Sequence, residues 1–86
     1  MPRISEFFGI VIRMYFEDHS PPHFHAEYAE FMAAITIEGR HVLEGRLPAR
    51  VLSLVREWAG LHEEELSANW ELARARRPLN PMAPLI

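Results

Sequence analysis

The chain has 86 residues, 49% of them hydrophobic and 24% charged, which excludes a disordered chain and limits it to one domain. Its net charge of −3 and pI near 5.9 argue against a mainly electrostatic nucleic-acid binder. There are no cysteines, which excludes disulfides, thiolate metal sites and cysteine nucleophiles.

A chain this short buries a thin core, so its stability is expected to be modest unless it forms a homo-oligomer. Met1-Pro2-Arg3-Ile4-Ser5-Glu6 lacks the long apolar run of a signal peptide. Arg13 and the glycines interrupt the longest apolar segments, so no transmembrane helix fits. A cytoplasmic protein without membrane association is expected.

Residues 7–16 are rich in aromatic and β-branched side chains and are expected to form one strand. Alternation places Phe8, Ile10, Ile12, Met14 and Phe16 on the core face and Val11, Arg13 and Tyr15 on the other. Residues 17–22 form a loop stiffened by Pro21 and Pro22. Residues 23–28 alternate again, with Phe24, Ala26 and Tyr28 facing the core and His23, His25 and Glu27 facing away. A turn at Ala29-Glu30 leads to a strand over 31–37 that faces Phe31, Ala33, Ile35 and Ile37 together. Glu38-Gly39-Arg40 reads as a tight turn, and a fourth strand spans about 41–45. The expected sheet is a four-stranded antiparallel meander.

The period then changes. Leu47-Pro48-Ala49-Arg50 opens a helix, and Val51, Leu54, Val55 and Trp58 form its apolar stripe. A break is expected at Gly60. His62-Glu63-Glu64-Glu65 begins a second helix, with an acidic first turn that complements the helix dipole. Leu66, Trp70 and Ala73 continue its apolar face, and Arg74, Arg76 and Arg77 sit near its end. One helix from 48 to 76 would outrun so small a sheet, so two are expected. Residues 78–86 hold three prolines and form an extended tail, which either dangles or lays Leu85-Ile86 along an apolar groove. The plan is α+β: a single domain over 1–77 with both helices on one sheet face, followed by the tail.

Chemically versatile side chains concentrate in Asp18-His19-Ser20-Pro21-Pro22-His23-Phe24-His25, which holds three of the five histidines. His23 and His25 share the non-core face with Arg13 and Tyr15 if the first two strands pair. Taken alone, Arg13 is a solvated sheet residue, Glu63, Glu64 and Glu65 a solvated helix start, and the terminal arginines a solvated helix end. Trp58 and Trp70 read as core anchors, and Asn69 as a cap or partner for a buried backbone group. His41 and His62 stand apart from any site.

Several stretches resemble a small bacterial family catalogued as domain of unknown function 4160. They are Met1-Pro2-Arg3-Ile4-Ser5, Phe7-Phe8-Gly9-Ile10-Val11-Ile12, the Asp18–His25 cluster, Val42-Leu43-Glu44-Gly45-Arg46-Leu47-Pro48 and Glu65-Leu66-Ser67-Ala68-Asn69-Trp70. The resemblance runs over nearly the whole chain, and its His-x-Pro-Pro-His-Phe-His core is specific. It implies a component of a two-gene arrangement similar to a toxin–antitoxin pair, with a small cognate protein encoded alongside and a role in inhibiting growth. Ala29 departs from it, since the family often has glycine there.

Three readings of the histidine cluster stand side by side. In the first, His23 and His25 clamp a divalent transition metal such as zinc, with His19 or Asp18 as a third ligand and Glu27 as a carboxylate. In the second, the imidazoles of His19, His23 and His25 act as base and acid in phosphodiester cleavage, Arg13 holds the phosphate and Tyr15 stacks or donates a proton. RNA is the substrate implied, although the net charge gives it no support. In the third, the segment is a rigid recognition edge, with Asp18, Pro21, Pro22 and Phe24 as binding residues. The expected function is a protein-binding, toxin-like component of a pair; the alternative is a small histidine-dependent nuclease or metal-binding hydrolase.

Overall fold

The segment expected to form one strand over residues 7–16 folds back on itself. In the computed structural model, which describes residues 3–16 and 19–86, β1 (Arg3–Phe7) and β2 (Ile10–Arg13) form a hairpin closed by Phe8 and Gly9. Both turn residues have positive φ, 51° at Phe8 and 78° at Gly9, the signature of a type I′ turn. That turn matches the twist of the flanking strands, and glycine reaches its second position without steric cost. The sheet therefore has five strands rather than four. Phe8 moves from the expected core to an exposed turn tip, and Phe16 is exposed as well. Ile10, Ile12 and Met14 are fully buried, as alternation requires. A bulge in β1 sets Ile4 and Ser5 against Ile12, so Ile4, Ser5 and Phe7 all turn inward.

β3 (His23–Tyr28), β4 (Phe31–Thr36) and β5 (Val42–Arg46) complete an antiparallel sheet in the order β1-β2-β3-β4-β5. The Ala29-Glu30 turn falls where expected, with Ala29 at φ 52°, a value that glycine adopts more easily. The β4–β5 connection is wider than a tight turn. Thr36 N–H donates to the His41 carbonyl at 2.9 Å, and the Thr36 hydroxyl donates to the Glu38 carbonyl at 2.8 Å. β5 carries a second bulge, since Ala34 pairs with Glu44 but Ile35 pairs with Val42, leaving Leu43 as the extra residue. Gly45 sits inside this strand at φ +76°, and a Cβ there would collide with the Met32 carbonyl oxygen.

α1 (Ala49–Leu61) starts after Pro48, and α2 (Glu63–Arg74) follows at once. The break between them falls at His62, two residues beyond Gly60. Val51, Val55, Trp58 and Ala59 of α1 and Leu66, Trp70 and Ala73 of α2 close over Ile10, Ile12, Phe24, Ala26, Ala33 and Ile35 in one core. Among the described residues, no helix is long and apolar enough to cross a membrane.

The proline-rich tail is extended and docked. Met82 N–H donates to the Ile4 carbonyl at the outer edge of β1, at 2.7 Å. Asn69, almost fully buried, clasps Asn80 twice: its amide donates to the Asn80 carbonyl at 3.0 Å and its oxygen accepts the Asn80 N–H at 2.8 Å. Trp58 Nε1 donates to the Ala83 carbonyl at 2.8 Å. Met82 is the buried anchor, Leu79 and Leu85 pack on the core, and Ile86 is fully exposed.

Candidate functional site

Alternation along β3 sends Phe24 and Ala26 to the helices and His23, His25 and Glu27 to the opposite sheet face. Antiparallel register then builds a row across that face. Arg13 on β2 pairs with His25, His25 with Ala34 on β4, and Ala34 with Glu44 on β5. Residues opposite one another in adjacent strands share a face, so these side chains line up across four strands.

The histidines are more buried than an open sheet face implies. His23 retains 8% of its surface and His25 9%. Aromatic rings account for this. Tyr15, from the segment after β2, packs edge-on against His25 with centroids 4.4 Å apart. His25 lies 5.3 Å from His23, and His23 lies 5.3 Å from the indole of Trp70 on α2. The chain of rings runs Tyr15, His25, His23, Trp70. The two tryptophans differ in their polar atoms: Trp58 Nε1 has its carbonyl acceptor, whereas Trp70 Nε1 is buried with no acceptor among the described residues.

The Pro-Pro segment acts through its backbone. His23 Nδ1 lies 2.7 Å from the Pro21 carbonyl oxygen. A carbonyl only accepts, so Nδ1 carries the proton and, in the neutral ring, Nε2 carries the lone pair. The Pro22 carbonyl accepts the Ile37 N–H at 3.1 Å, and the Ser20–Pro21 bond is cis.

His19, Ser20, Pro21, His23 and His25 converge on a cleft of about 260 Å³, closed on its far side by Ala34, Leu43 and Glu44. All three histidines thus border one space. The other expected site residues among those described do not line it. Arg13 lies against Glu27, its Nε 3.2 Å from the carboxylate, and is partly buried there. Tyr15 packs against the His25 ring and is not among the cleft residues. Phe24, expected to bind, is fully buried against Trp58, because alternation commits it to the core face. Pro22 borders a separate cleft of about 250 Å³ with Ile37, Glu38 and Glu63. Asp18 lies outside the described residues. Among the described residues, no group of three or more histidine or acidic side chains is placed to hold a metal ion, so a zinc site has no complete ligand set there. His41 and His62 lie away from the cleft; His62 Nδ1 is 2.6 Å from Glu65.

Glu44 and Leu43 were not expected at the site. The only signal for them is the register of β4 with β5, which the bulge shifts by one residue.

No curated protein and no solved structure matches the chain. A family model matches residues 9–71, and its description is Domain of unknown function (DUF4160). That span opens on the turn glycine, contains every cleft residue and stops inside α2, leaving the tail outside. Matched over well more than half of its residues, the chain belongs to the DUF4160 family.

Proposed function

We propose that the chain is a protein-binding module, the toxin-like component of a two-gene toxin–antitoxin-type pair in the cytoplasm, and that its small cognate partner docks on β5. One observation carries this reading: all of β5 is exposed, although its neighbour β4 is largely buried. Among the described residues, no hydrogen bond satisfies its outer edge. An edge strand offers a row of backbone donors and acceptors to an added strand, and Val42 and Leu43 add apolar contact.

Co-purification from the native operon tests the proposal: the neighbouring protein is expected to come through with this chain. Leu43→Asp is expected to abolish that association while leaving the unfolding midpoint of the free chain unchanged, since the side chain is exposed. A pair that never associates removes the reading.

Convergence of the three histidines favours a second reading, a histidine-dependent nuclease acting at the cleft. Here His23 Nε2 is the base, its ring fixed by the Pro21 carbonyl, and His19 at the cleft mouth is the acid. A metal-assisted form needs ligands from beyond the described residues. His23→Ala is expected to abolish growth inhibition while the partner complex persists. Unchanged toxicity in that variant would sink the enzymatic reading.

A further inference from the structure

A second cleft, of about 270 Å³, opens where the tip of the β1–β2 hairpin meets the first turn of α1. Phe8, Ile10, Tyr28, Arg50, Val51 and Leu54 line it. Tyr28 ends β3 and His23 begins it, so the two clefts lie roughly 17 Å apart along that strand. Two of the lining residues sit at a cost to the fold. Phe8 holds a φ of 51° with its ring 62% exposed. Arg50 stands in the first turn of α1, where a cation opposes the helix dipole and no acidic residue offsets it. Proteins break such local rules chiefly at functional sites, and here two independent breaks share one cleft.

The surface around the cleft carries flat rings and cations in alternation. The Tyr28 ring lies against the hairpin tip, since a Cβ on Gly9 would stand 3.6 Å from it. Tyr28 pairs with Phe31 beside the β3–β4 turn, and the Arg46 guanidinium sits over the Phe31 ring, 5.2 Å from its centroid. Among the described residues, neither Arg46 nor Arg50 has an acidic partner. We propose that this end of the sheet binds a short single-stranded nucleic acid, with a base stacked on Phe8 and phosphates held by Arg50 and Arg46. Aromatic rings stack on bases of any sequence, and the guanidinium fork matches phosphate geometry. Ile10 and Val51 give the cleft a buried apolar floor, which suits a flat ring better than a hydrated ion. The net charge of −3 is compatible with this ligand, because stacking and not overall charge supplies most of the affinity. Phe8 and Arg50 belong neither to β5 nor to the histidine cleft, so the proposal stands or falls apart from both.

Fluorescence anisotropy of a labelled oligouridylate, titrated with the intact chain over a range of salt, tests this. Saturable binding is expected, with log affinity falling against log salt at a slope of about −1.4, the value for two phosphate contacts to a single strand. Arg50→Gln is expected to weaken binding and reduce that slope to about −0.7. Arg77→Gln, the same change of charge at an exposed position beyond α2, keeps the parent slope. Phe8→Asn is expected to weaken binding about tenfold with the slope unchanged. Asparagine suits the turn better than phenylalanine does, so that loss does not come from unfolding. A chain that ignores the oligomer at low salt overturns the proposal, as does binding indifferent to both Phe8→Asn and Arg50→Gln. Uridine monophosphate bound as tightly as the oligomer also overturns it, by naming a mononucleotide as the occupant. So does a partner protein whose capture, and not oligomer binding, is lost in Phe8→Asn.

Discussion

The two edges of the sheet are treated in opposite ways. At β1 the tail lies along the strand, and Met82 N–H reaches the Ile4 carbonyl. Asn69 clasps Asn80, and Ala83 accepts from both Trp58 Nε1 and the Ser5 hydroxyl. Among the described residues nothing is laid along β5, and every residue of that strand is exposed. Open edges recruit foreign strands, and proteins commonly shield them. This chain shields one edge with residues 79–85, outside the family-matched span, and among the described residues leaves the other bare beside its densest cluster of histidines. The contrast teaches that β5 is not simply the end of a small sheet. The same chain had the means to cover an edge and used them elsewhere.

The sharpest way to break the comparison is to disturb the bare edge from within. Gly45→Ala places a Cβ against the Met32 carbonyl at a φ that alanine adopts only with strain. A left-handed alanine costs about 1–2 kcal/mol, and the collision adds a similar amount, so a loss of about 3 kcal/mol is expected. Urea denaturation measures it, and amide exchange should show β5 opening before β1. A midpoint within error of the parent chain would mean that the bulge repacks at little cost.

The covered edge fails more mildly. Asn69→Ala removes both part-buried hydrogen bonds to the Asn80 backbone and empties the space of a buried side chain. The expected loss is about 2 kcal/mol. It should be accompanied by faster exchange at Met82 N–H, whose partner is Ile4, with exchange along β4 unaltered. Loss of stability without faster exchange at Met82 would place the role of Asn69 inside α2 and not at the tail.

Much of this contrast is local in origin, and the local parts were legible in the sequence. The apolar stripes of both helices, the break between them, the burial of Trp58 and Trp70 and the backbone role of Asn69 follow from spacing and residue type. So does the outward side of β3, since alternation alone separates His23 and His25 from Phe24. What escaped needs contacts between distant segments. The tail reads as extended from its prolines, but its place beside Ile4 depends on a partner 78 residues away in the Ser5–Ala83 pair. The burial of the histidines comes from Tyr15 and Trp70, which no single strand pattern brings together. Glu44 enters the cleft through the register of three successive strand pairs and a bulge. The missed hairpin differs in kind, because its signal was present: Gly9 marks the turn. Its partner Phe8, an aromatic in a run of strand formers, argued the other way.

That residue supplies the mildest test, and it bears on how the covered edge is built. β1 exists as a separate strand only because the chain reverses at Phe8 and Gly9; without the reversal there would be no strand for the tail to cover. Phe8 takes the first turn position at φ 51°, a conformation in which asparagine is enriched and a bulky aromatic is not. Its ring is 62% exposed and touches Phe7 edge-on with centroids 6.3 Å apart, so little burial offsets the backbone strain. Asn-Gly is the preferred pair for a type I′ turn. Phe8→Asn is therefore expected to raise stability by about 0.5–1 kcal/mol, read as a higher urea midpoint with an unchanged slope. A drop of similar size would instead assign Phe8 a packing role against Tyr28 and Leu54, which border the same shallow cleft. The tail's cover of β1 would then rest on an aromatic contact at the hairpin tip as well as on the polar clasp at Asn69.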